Sequence, residues 1–395
     1  MDKYNVENLH EGMIVGESVF DENNKLLIAA GFRLENKHID AFKKKGITTV
    51  FINKEGTENV EAKSIISEQV KKELNATVYS STKEIHKIIS KAKENREDIK
   101  RIIKKDKHHI NTIIKNSGMS RVINKIIEDI LDEPWVVINL DKMKEQNSEL
   151  YAHVLNVTII SLCIGHKLRF SMQELKELGL SVINYDIGML AIPAEILNKE
   201  AELTEQEKNI LMQHTVYGHM MLSDIPGIPS AGSIVALCHH EYQDGTGYPQ
   251  GLKGENRPPL MDMHKKGLID RYAEIAAIAD TYDMLTTGRR HFSKEMKPEK
   301  AIQKMIEMRK SKLNLEIIKT LISILPIYPI GTRIRVVNTP RKELMGCYGV
   351  IAQFRPKQIF QPIVVLIESK QKQRLPKVLM LDFAKHKGFE IELVD

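Results

Sequence analysis

The chain has 395 residues, of which 42% are hydrophobic and 28% are charged, and its formal net charge is +6. This composition excludes a disordered protein, and the length exceeds what one ordinary core supports, so we expect two or three domains. The three cysteines, Cys163, Cys238 and Cys347, are far apart and odd in number, which argues against a disulfide framework and favours a reducing cytoplasm. We expect no membrane span, no signal peptide and no specific nucleic-acid partner, because apolar runs are short and the charge is modest.

Residues 1–55 predict a small β-rich module. Short apolar runs in VENLHEGMIVGESVFDENNKLLIAAGFRL are broken by turn residues, as in hairpins, and GITTVFIN predicts a further strand. At the other end of the chain, residues 328–395 alternate apolar and polar residues in TRIRVVN, YGVIAQF, PIVVLIES, KVLMLD and FEIELV. This pattern predicts a second small antiparallel sheet or barrel.

Between these modules the pattern is helical, so the fold is predicted to be mainly α. Residues 63–144 predict a helical connector in which isoleucines recur at three-to-four spacing amid charge, and residues 145–325 predict a helical domain with long apolar stretches. The basic side chains of the connector indicate a solvated face, with a surface for an acidic partner as the alternative. The long connector helices would suit a homodimer, and a signalling protein could contact them or the β modules.

The predicted helical domain contains histidines and acids that could bind metal ions. Asp280 ends the apolar run YAEIAAIAD, where a carboxylate is costly to bury unless it is paired or bound to a metal. Imidazoles and carboxylates without thiolates suit iron, manganese or zinc, and helical bundles build dinuclear centres from such ligands. Each residue alone also has an ordinary explanation, such as a core histidine or a helix cap. The candidates are Glu149, His153, Asp186, His214, His239, His240 and Asp280.

The order of these candidates resembles the HD-GYP family of cyclic-di-GMP phosphodiesterases. Within residues 145–310 the chain has E-x3-H, an aspartate before I-G, the stretch LTEQE, a histidine, HHE-x-x-DG-x-GYP and A-D-x-Y-D. The resemblance implies an HD-type helical bundle that holds two or three divalent metal ions, with iron or manganese favoured. It also implies hydrolysis of cyclic di-GMP to linear pGpG, and in some members on to GMP, in a bacterial cytoplasm.

The resemblance further implies roles for individual residues. All seven candidates fall on metal-ligand positions of the family, and Asp186 would bridge two metals. Arg289 lies near the position of the family's phosphate-binding arginine, and Gly247, Tyr248 and Pro249 form the signature turn along one wall of the site. Metal ions would activate the attacking water, so no serine or cysteine nucleophile is needed.

The chain departs from the family at the dyad for which the family is named. The His-Asp pair is Tyr185-Asp186 here, and the lysine that usually follows is Met189. One metal site then retains Asp186, His153 and Asp280, and the other retains Asp186 and the three remaining histidines. Three interpretations of Tyr185 stay open: it binds metal through its phenolate, it points away and water fills the gap, or the site has become a binding pocket.

We expect phosphodiesterase activity to be retained, with Asp186 and Tyr185 at the reaction centre. The other ligand positions, the signature turn and Arg289 are intact. The alternative from another class is a cyclic-di-GMP receptor that binds without turnover. A third interpretation keeps the HD fold but changes the substrate to another nucleotide or phosphate ester.

Overall fold

The computed structural model of the chain divides into two compact units. One unit is Ser64–Leu325, and the other combines Met1–Lys63 with Pro326–Asp395. In the described residues the first unit is helical and the second contains the strands, which confirms the predicted mainly α fold with small β-rich modules at both ends of the chain. The structure describes residues 2–16, 19–21, 26–29, 31–53, 66–94, 98–132, 149–259, 267–288, 294–309, 311–325, 331–355, 358–386 and 388–394.

The N-terminal part of the β-rich unit is a three-stranded antiparallel sheet with strand order β1-β5-β2, beside a β3-β4 hairpin and one helix. The helix was not part of the predicted β-rich module. It buries Phe42 against Val15 and Val50 of the sheet, so its apolar face completes this small core. The elements are β1 (Asp2–Asn5), β2 (Ile14–Val15), β3 (Val19–Phe20), β4 (Leu26–Ile28), α1 (Asn36–Lys44) and β5 (Thr49–Asn53).

The C-terminal part of this unit is a five-stranded antiparallel sheet with strand order β10-β6-β7-β8-β9. Each of the five apolar-polar runs in the sequence forms one of its strands, as predicted. Ile334, Ile351, Val364 and Leu366 are fully buried, and Val350, Ala352, Val365 and Ile367 form a second buried cluster, so β7 and β8 are covered on both faces along their centres. The strands are β6 (Arg333–Asn338), β7 (Tyr348–Arg355), β8 (Gln358–Glu368), β9 (Arg374–Asp382) and β10 (Glu390–Leu393).

The helical unit contains the helices that carry the candidate ligands. A 3-10 turn at Ile187–Ala191 lies between two of these helices. The helices are α2 (Glu68–Glu94), α3 (Ile99–Lys105), α4 (Lys107–Asn116), α5 (Met119–Asp132), α6 (Glu149–Lys167), α7 (Met172–Val182), α8 (Ala194–Leu197), α9 (Glu205–Met212), α10 (His214–Leu222), α11 (Ser230–Cys238), α12 (Arg271–Thr287), α13 (Pro298–Met308) and α14 (Leu315–Ile324).

Capping boxes fix where two of these helices begin. The hydroxyls of Ser171, before α7, and Thr204, before α9, each accept a hydrogen bond from the backbone N–H three residues on, and the carboxylates of Glu174 and Glu207 accept one from the backbone N–H of the cap residue. Thr204 and Glu207 belong to the LTEQE stretch, so this part of the resemblance has a plain structural purpose. This capping box ends the loop after α8 and orients α9, which leads directly into α10.

The core of the helical unit is built around α6, which is buried on nearly every side. Val157, Ile160 and Ile164 of α6 have no exposed surface, and they share one apolar cluster with Leu74 of α2 and Ile126 of α5. The predicted connector helices therefore pack on the same core as the predicted HD-type bundle, and the boundary predicted at residue 144 lies outside the described residues. In the described part of the chain, no helix is long and apolar enough to cross a lipid bilayer.

The 3-10 turn lies directly against α10. A Cβ added to Gly188 would meet the backbone oxygen of His214 at 1.9 Å and the backbone nitrogen of Gly218 at 2.6 Å. Gly188 is two residues from Asp186, and His214 is the first residue of α10. This close backbone approach therefore sets the distance between two candidate ligands.

We predict that Gly188→Ala destabilises the helical unit. The clash is with backbone atoms, which no change of rotamer relieves, so the free energy of unfolding in urea should fall by at least about 1–3 kcal/mol. Gly232→Ala in α11 is the matched control, because the tightest contact of its new Cβ would be with the movable Ile228 side chain at 3.1 Å, and the backbone of Ser181 would lie at an ordinary contact distance of 3.7 Å. The control should change stability by less than about 1 kcal/mol. If the two substitutions lowered the free energy of unfolding equally, the close backbone contact at Gly188 would be contradicted.

Candidate metal centre

The helical unit brings together candidate ligands that are far apart in the sequence. Six of them have side chains that the structure describes, and they lie with Tyr185 around one buried region. Glu149 begins α6, but its side chain is outside the described part of the structure, as is all of Arg289. The residues that meet are His153 on α6, Tyr185 and Asp186 after α7, His214 at the start of α10, His239 and His240 at the end of α11, and Asp280 on α12.

Three histidines form the part of this region best suited to a metal ion. One ligand atom from each of His214, His239 and His240 lies within 4.8 Å of the others. The Nε2 atoms of His214 and His239 are 3.3 Å apart, and Oδ1 of Asp186 is 3.6 Å from Nε2 of His214. Metal–nitrogen bonds of about 2.1 Å place neighbouring ligand atoms about 3.0–3.4 Å apart, which is close to these spacings.

The hydrogen bonds of the imidazoles orient their lone pairs. Nδ1 of His214 donates to the carbonyl of Leu211 at 2.7 Å, and Nδ1 of His239 donates to the carbonyls of Val235 and Ala236, each at 3.1 Å. In a neutral imidazole with its hydrogen on Nδ1, Nε2 carries a lone pair. Two lone pairs facing each other at 3.3 Å do not form a hydrogen bond, whereas both can bind one cation. These residues therefore fit a metal ion, with backbone carbonyls as the outer partners that hold metal-binding histidines in place.

Burial keeps one of these imidazoles neutral. His239 is 2% exposed, and its burial, with the neighbouring His214, lowers its pKa to about 4. The carboxylates of Asp186 and Asp280 act in the opposite direction but are outweighed. At neutral pH the Nε2 lone pair of His239 is therefore free of a proton and available to a cation.

A second group of polar side chains surrounds the hydroxyl of Tyr185. This hydroxyl lies 2.7 Å from Nε2 of His153 and 2.7 Å from Oδ1 of Asp280, and those two atoms are 2.8 Å apart. Nδ1 of His153 is bonded to Oδ2 of Asp283 at 2.7 Å, and the amide of Asn156 donates to Oδ1 of the same carboxylate at 2.7 Å. Tyr185 thus points into the site, between two of the predicted metal ligands.

The charge of Asp280 is stabilised within this second group. Burial acts to raise the pKa of Asp280, but the hydrogen bond from His153 and the nearby imidazoles outweigh it and hold that pKa well below its usual range. Asp283 and Asn156 were not among the predicted site residues. A signal was present, since each lies three residues after a predicted ligand and so on the same helical face.

The signature turn packs against the histidine cluster. The ring of Tyr248 stacks on His240 with centroids 4.8 Å apart, and its backbone N–H donates to the carbonyl of His240 at 3.2 Å. Gly247 allows this approach, since a Cβ there would lie 2.4 Å from the backbone nitrogen of Tyr242. Pro249 follows through a cis peptide bond. The turn therefore supports the side of the site formed by His240.

Buried acids behind the turn hold it in place. Both carboxylate oxygens of Glu241 accept backbone hydrogen bonds, from Gln250 at 2.7 Å and from Leu252 at 2.9 Å. Glu274 of α12 accepts the side-chain amides of Gln243 at 2.5 Å and Asn314 at 3.2 Å, both on Oε1. Glu241 is the E of HHE and was left without a role in the sequence analysis; its structural role is now evident.

We predict that Glu274→Gln stabilises the protein in base and not in acid. Burial raises the pKa of Glu274 to about 7 from an ordinary 4.5, against the opposing hydrogen bonds of Gln243 and Asn314. The folded state therefore holds a proton that the unfolded state has lost, and the free energy of unfolding falls as pH rises between about 4.5 and 7. Glutamine keeps Oε1 for both donors and removes this dependence. At pH 8 the Glu274→Gln variant should be more stable than the unchanged chain by about 2–3 kcal/mol, and at pH 4.5 the two should differ little in stability.

Glu241→Gln is the matched control for this prediction. Both oxygens of Glu241 accept from backbone N–H groups, so an amide nitrogen would face a donor, and stability should fall by about 1–3 kcal/mol at both pH values. Denaturant unfolding at pH 4.5 and 8 measures both variants. If the Glu274→Gln variant and the unchanged chain had the same free energy of unfolding at both pH values, the raised pKa of the Glu274 carboxyl would be refuted.

Comparison with known proteins places this site in a family context. Residues 133–317 match the family model described as HD domain. The chain is 27% identical over 265 residues to a cyclic di-GMP phosphodiesterase of Pseudomonas aeruginosa, which covers 67% of the chain and 59% of that protein. It is 32% identical over 187 residues to a cyclic di-GMP phosphodiesterase of Thermotoga maritima, which covers 47% of each. These matches confirm the resemblance found in the sequence.

A further relative differs in its named substrate. The chain is 30% identical over 163 residues to a 3'3'-cGAMP-specific phosphodiesterase of Vibrio cholerae, which covers 41% of the chain and 34% of that protein. The chain thus spans less than two thirds of the length of each of these three relatives.

Proposed function

We propose that this chain, whose residues 133–317 match the HD domain family model, is a metal-dependent phosphodiesterase that hydrolyses cyclic di-GMP to linear pGpG. The observation that carries the proposal is the pair of buried imidazoles whose Nε2 lone pairs face each other at 3.3 Å, beside a third histidine and the carboxylate of Asp186. The names of relatives in Pseudomonas aeruginosa and Thermotoga maritima support the substrate.

The donor set suggests which cations this centre accepts. His214, His239 and His240 would supply three imidazole nitrogens, and Asp186 would supply a carboxylate oxygen. Such a set without thiolates suits iron, manganese or zinc, and we favour iron or manganese because the sequence resembles that family. A bound cation supplies charge to polarise a phosphoryl oxygen and to lower the pKa of a water.

Three residues besides the metal ligands would determine how the substrate is held and which groups can act on it. Tyr248, stacked on His240, would form the wall against which a cyclic dinucleotide rests. Arg289, outside the described residues, would add a fork of donors to a phosphate. Met189 is buried where the family has lysine, so the side chain at that position cannot protonate the leaving oxygen.

A covalent route through a cysteine is disfavoured. All three cysteines are buried, and burial raises the pKa of Cys238 to about 12 and also raises the pKa of Cys163. Thiols with raised pKa values are poor nucleophiles. This agrees with a mechanism in which the nucleophile is water.

We predict that the full chain, supplied with Fe(II) or Mn(II), converts cyclic di-GMP to pGpG, and that Asp186→Ala lowers the rate by more than about 100-fold. The reason is that loss of a direct ligand should exceed the roughly 10–100-fold effects known for outer partners of metal sites. Chromatography of the nucleotide products over time measures both rates and shows whether GMP follows. Asp40→Ala, an exposed aspartate of α1, is the matched control and should leave the rate unchanged.

Two outcomes would contradict parts of this proposal. Binding of cyclic di-GMP with no product under either metal would refute the enzyme and favour the receptor alternative. Faster hydrolysis of 3'3'-cGAMP in the same assay would refute the substrate while leaving the phosphodiesterase class, which is why the relative from Vibrio cholerae makes that compound the first comparison.

A further inference from the structure

We infer that the site binds a single cation, at the histidine cluster, because the hydroxyl of Tyr185 takes the position of a second cation between His153 and Asp280. This departs from the two or three metals that the sequence resemblance implies. The inference rests on the proposed function in assuming that the site binds metal. Its test counts the bound metal ions and does not depend on turnover of a substrate.

The distances separate the two halves of the site. Around Tyr185 the three contacts are 2.7, 2.7 and 2.8 Å, which are ordinary hydrogen-bond lengths. In the histidine cluster Nε2 of His214 lies 3.3 Å from Nε2 of His239 and 3.6 Å from Oδ1 of Asp186, which are spacings that suit ligand atoms around one cation. The hydroxyl of Tyr185 therefore occupies the space between His153 and Asp280, whereas the spacing of the histidine cluster matches that of ligands around a cation.

The length of the tyrosine side chain explains the position of its hydroxyl. A phenol oxygen lies roughly 2 Å farther from its Cα than an imidazole Nε2 does, and roughly 2 Å is also the length of a metal–imidazole bond. A tyrosine at the dyad position of the family therefore reaches past the place of a ligand to the place of the cation itself. The histidine that the family has at this position would stop short and leave that place open.

The surroundings fix Tyr185 in this position. The residue has no exposed surface, and its ring meets His239 edge-on at a centroid distance of 4.8 Å. Its partner His153 is held by Asp283, which is itself bonded to Asn156. The ring thus stands as a wall between the two halves, and a rotation of Tyr185 out of the site would require the packed core of α6 and α11 to open.

We predict that the purified full chain binds about one equivalent of Mn(II) or Fe(II), and that Tyr185→His binds about two. Histidine restores an imidazole and removes the oxygen that fills the second position. Inductively coupled plasma mass spectrometry of dialysed protein and calorimetric titration with Mn(II) give the counts. Tyr185→Phe is the control that removes the hydroxyl without supplying an imidazole, and it should stay at about one equivalent, because the second position is then open but lacks the ligand that histidine adds.

The metal count and the spectrum together decide the inference. Two equivalents in the unchanged chain, or one in a folded Tyr185→His variant, would overturn it. So would a visible iron(III)–phenolate absorption band that disappears in Tyr185→Phe, since the hydroxyl would then be a ligand. Should Tyr185→His fail to fold, the count and the spectrum of the unchanged chain still decide. One bound cation without any turnover would leave this inference intact and refute only the proposed function.

Discussion

The hydrogen bonds that backbone carbonyls accept from Nδ1 of His214 and His239 are the constraint on which the site depends. They fix both tautomers and aim both Nε2 atoms at one point. Helix ends supply these carbonyls, so the geometry of the site follows from where α9 and α11 end. The backbone contact at Gly188 then sets how far Asp186 lies from that point.

Tyr185 separates the candidate ligands into two groups, His153 with Asp280 on one side and the three other histidines on the other. On one side, His153 lies between two carboxylates and a hydroxyl, so its donors and acceptors are satisfied within the protein. On the other side, Nε2 of His214 and Nε2 of His239 face each other at 3.3 Å, and burial lowers the pKa of His239 so that its Nε2 is free of a proton at neutral pH. The substitution of one residue in the dyad thereby changes the number of cations that the same set of ligands can bind, without changing the fold.

The sequence predicted what depends on local pattern and on residue order. The isoleucine spacing of the connector correctly predicted helices, on which Ile85, Ile89 and Ile110 have no exposed surface, and the alternation in the last segment correctly predicted its five strands. The order of histidines and aspartates indicated the family. It could not predict the direction of a lone pair, the reach of Tyr185 or the buried carboxyl of Glu274, because these depend on neighbours distant in the chain.

The most direct test of a one-cation site is a crystal structure of the full chain grown with Mn(II) or Fe(II), with anomalous scattering measured at the metal edge. The account predicts one anomalous peak among His214, His239, His240 and Asp186, with the hydroxyl of Tyr185 still within hydrogen-bond distance of His153 and Asp280. A second peak between His153 and Asp280, or a metal bonded to the Tyr185 oxygen, would contradict it.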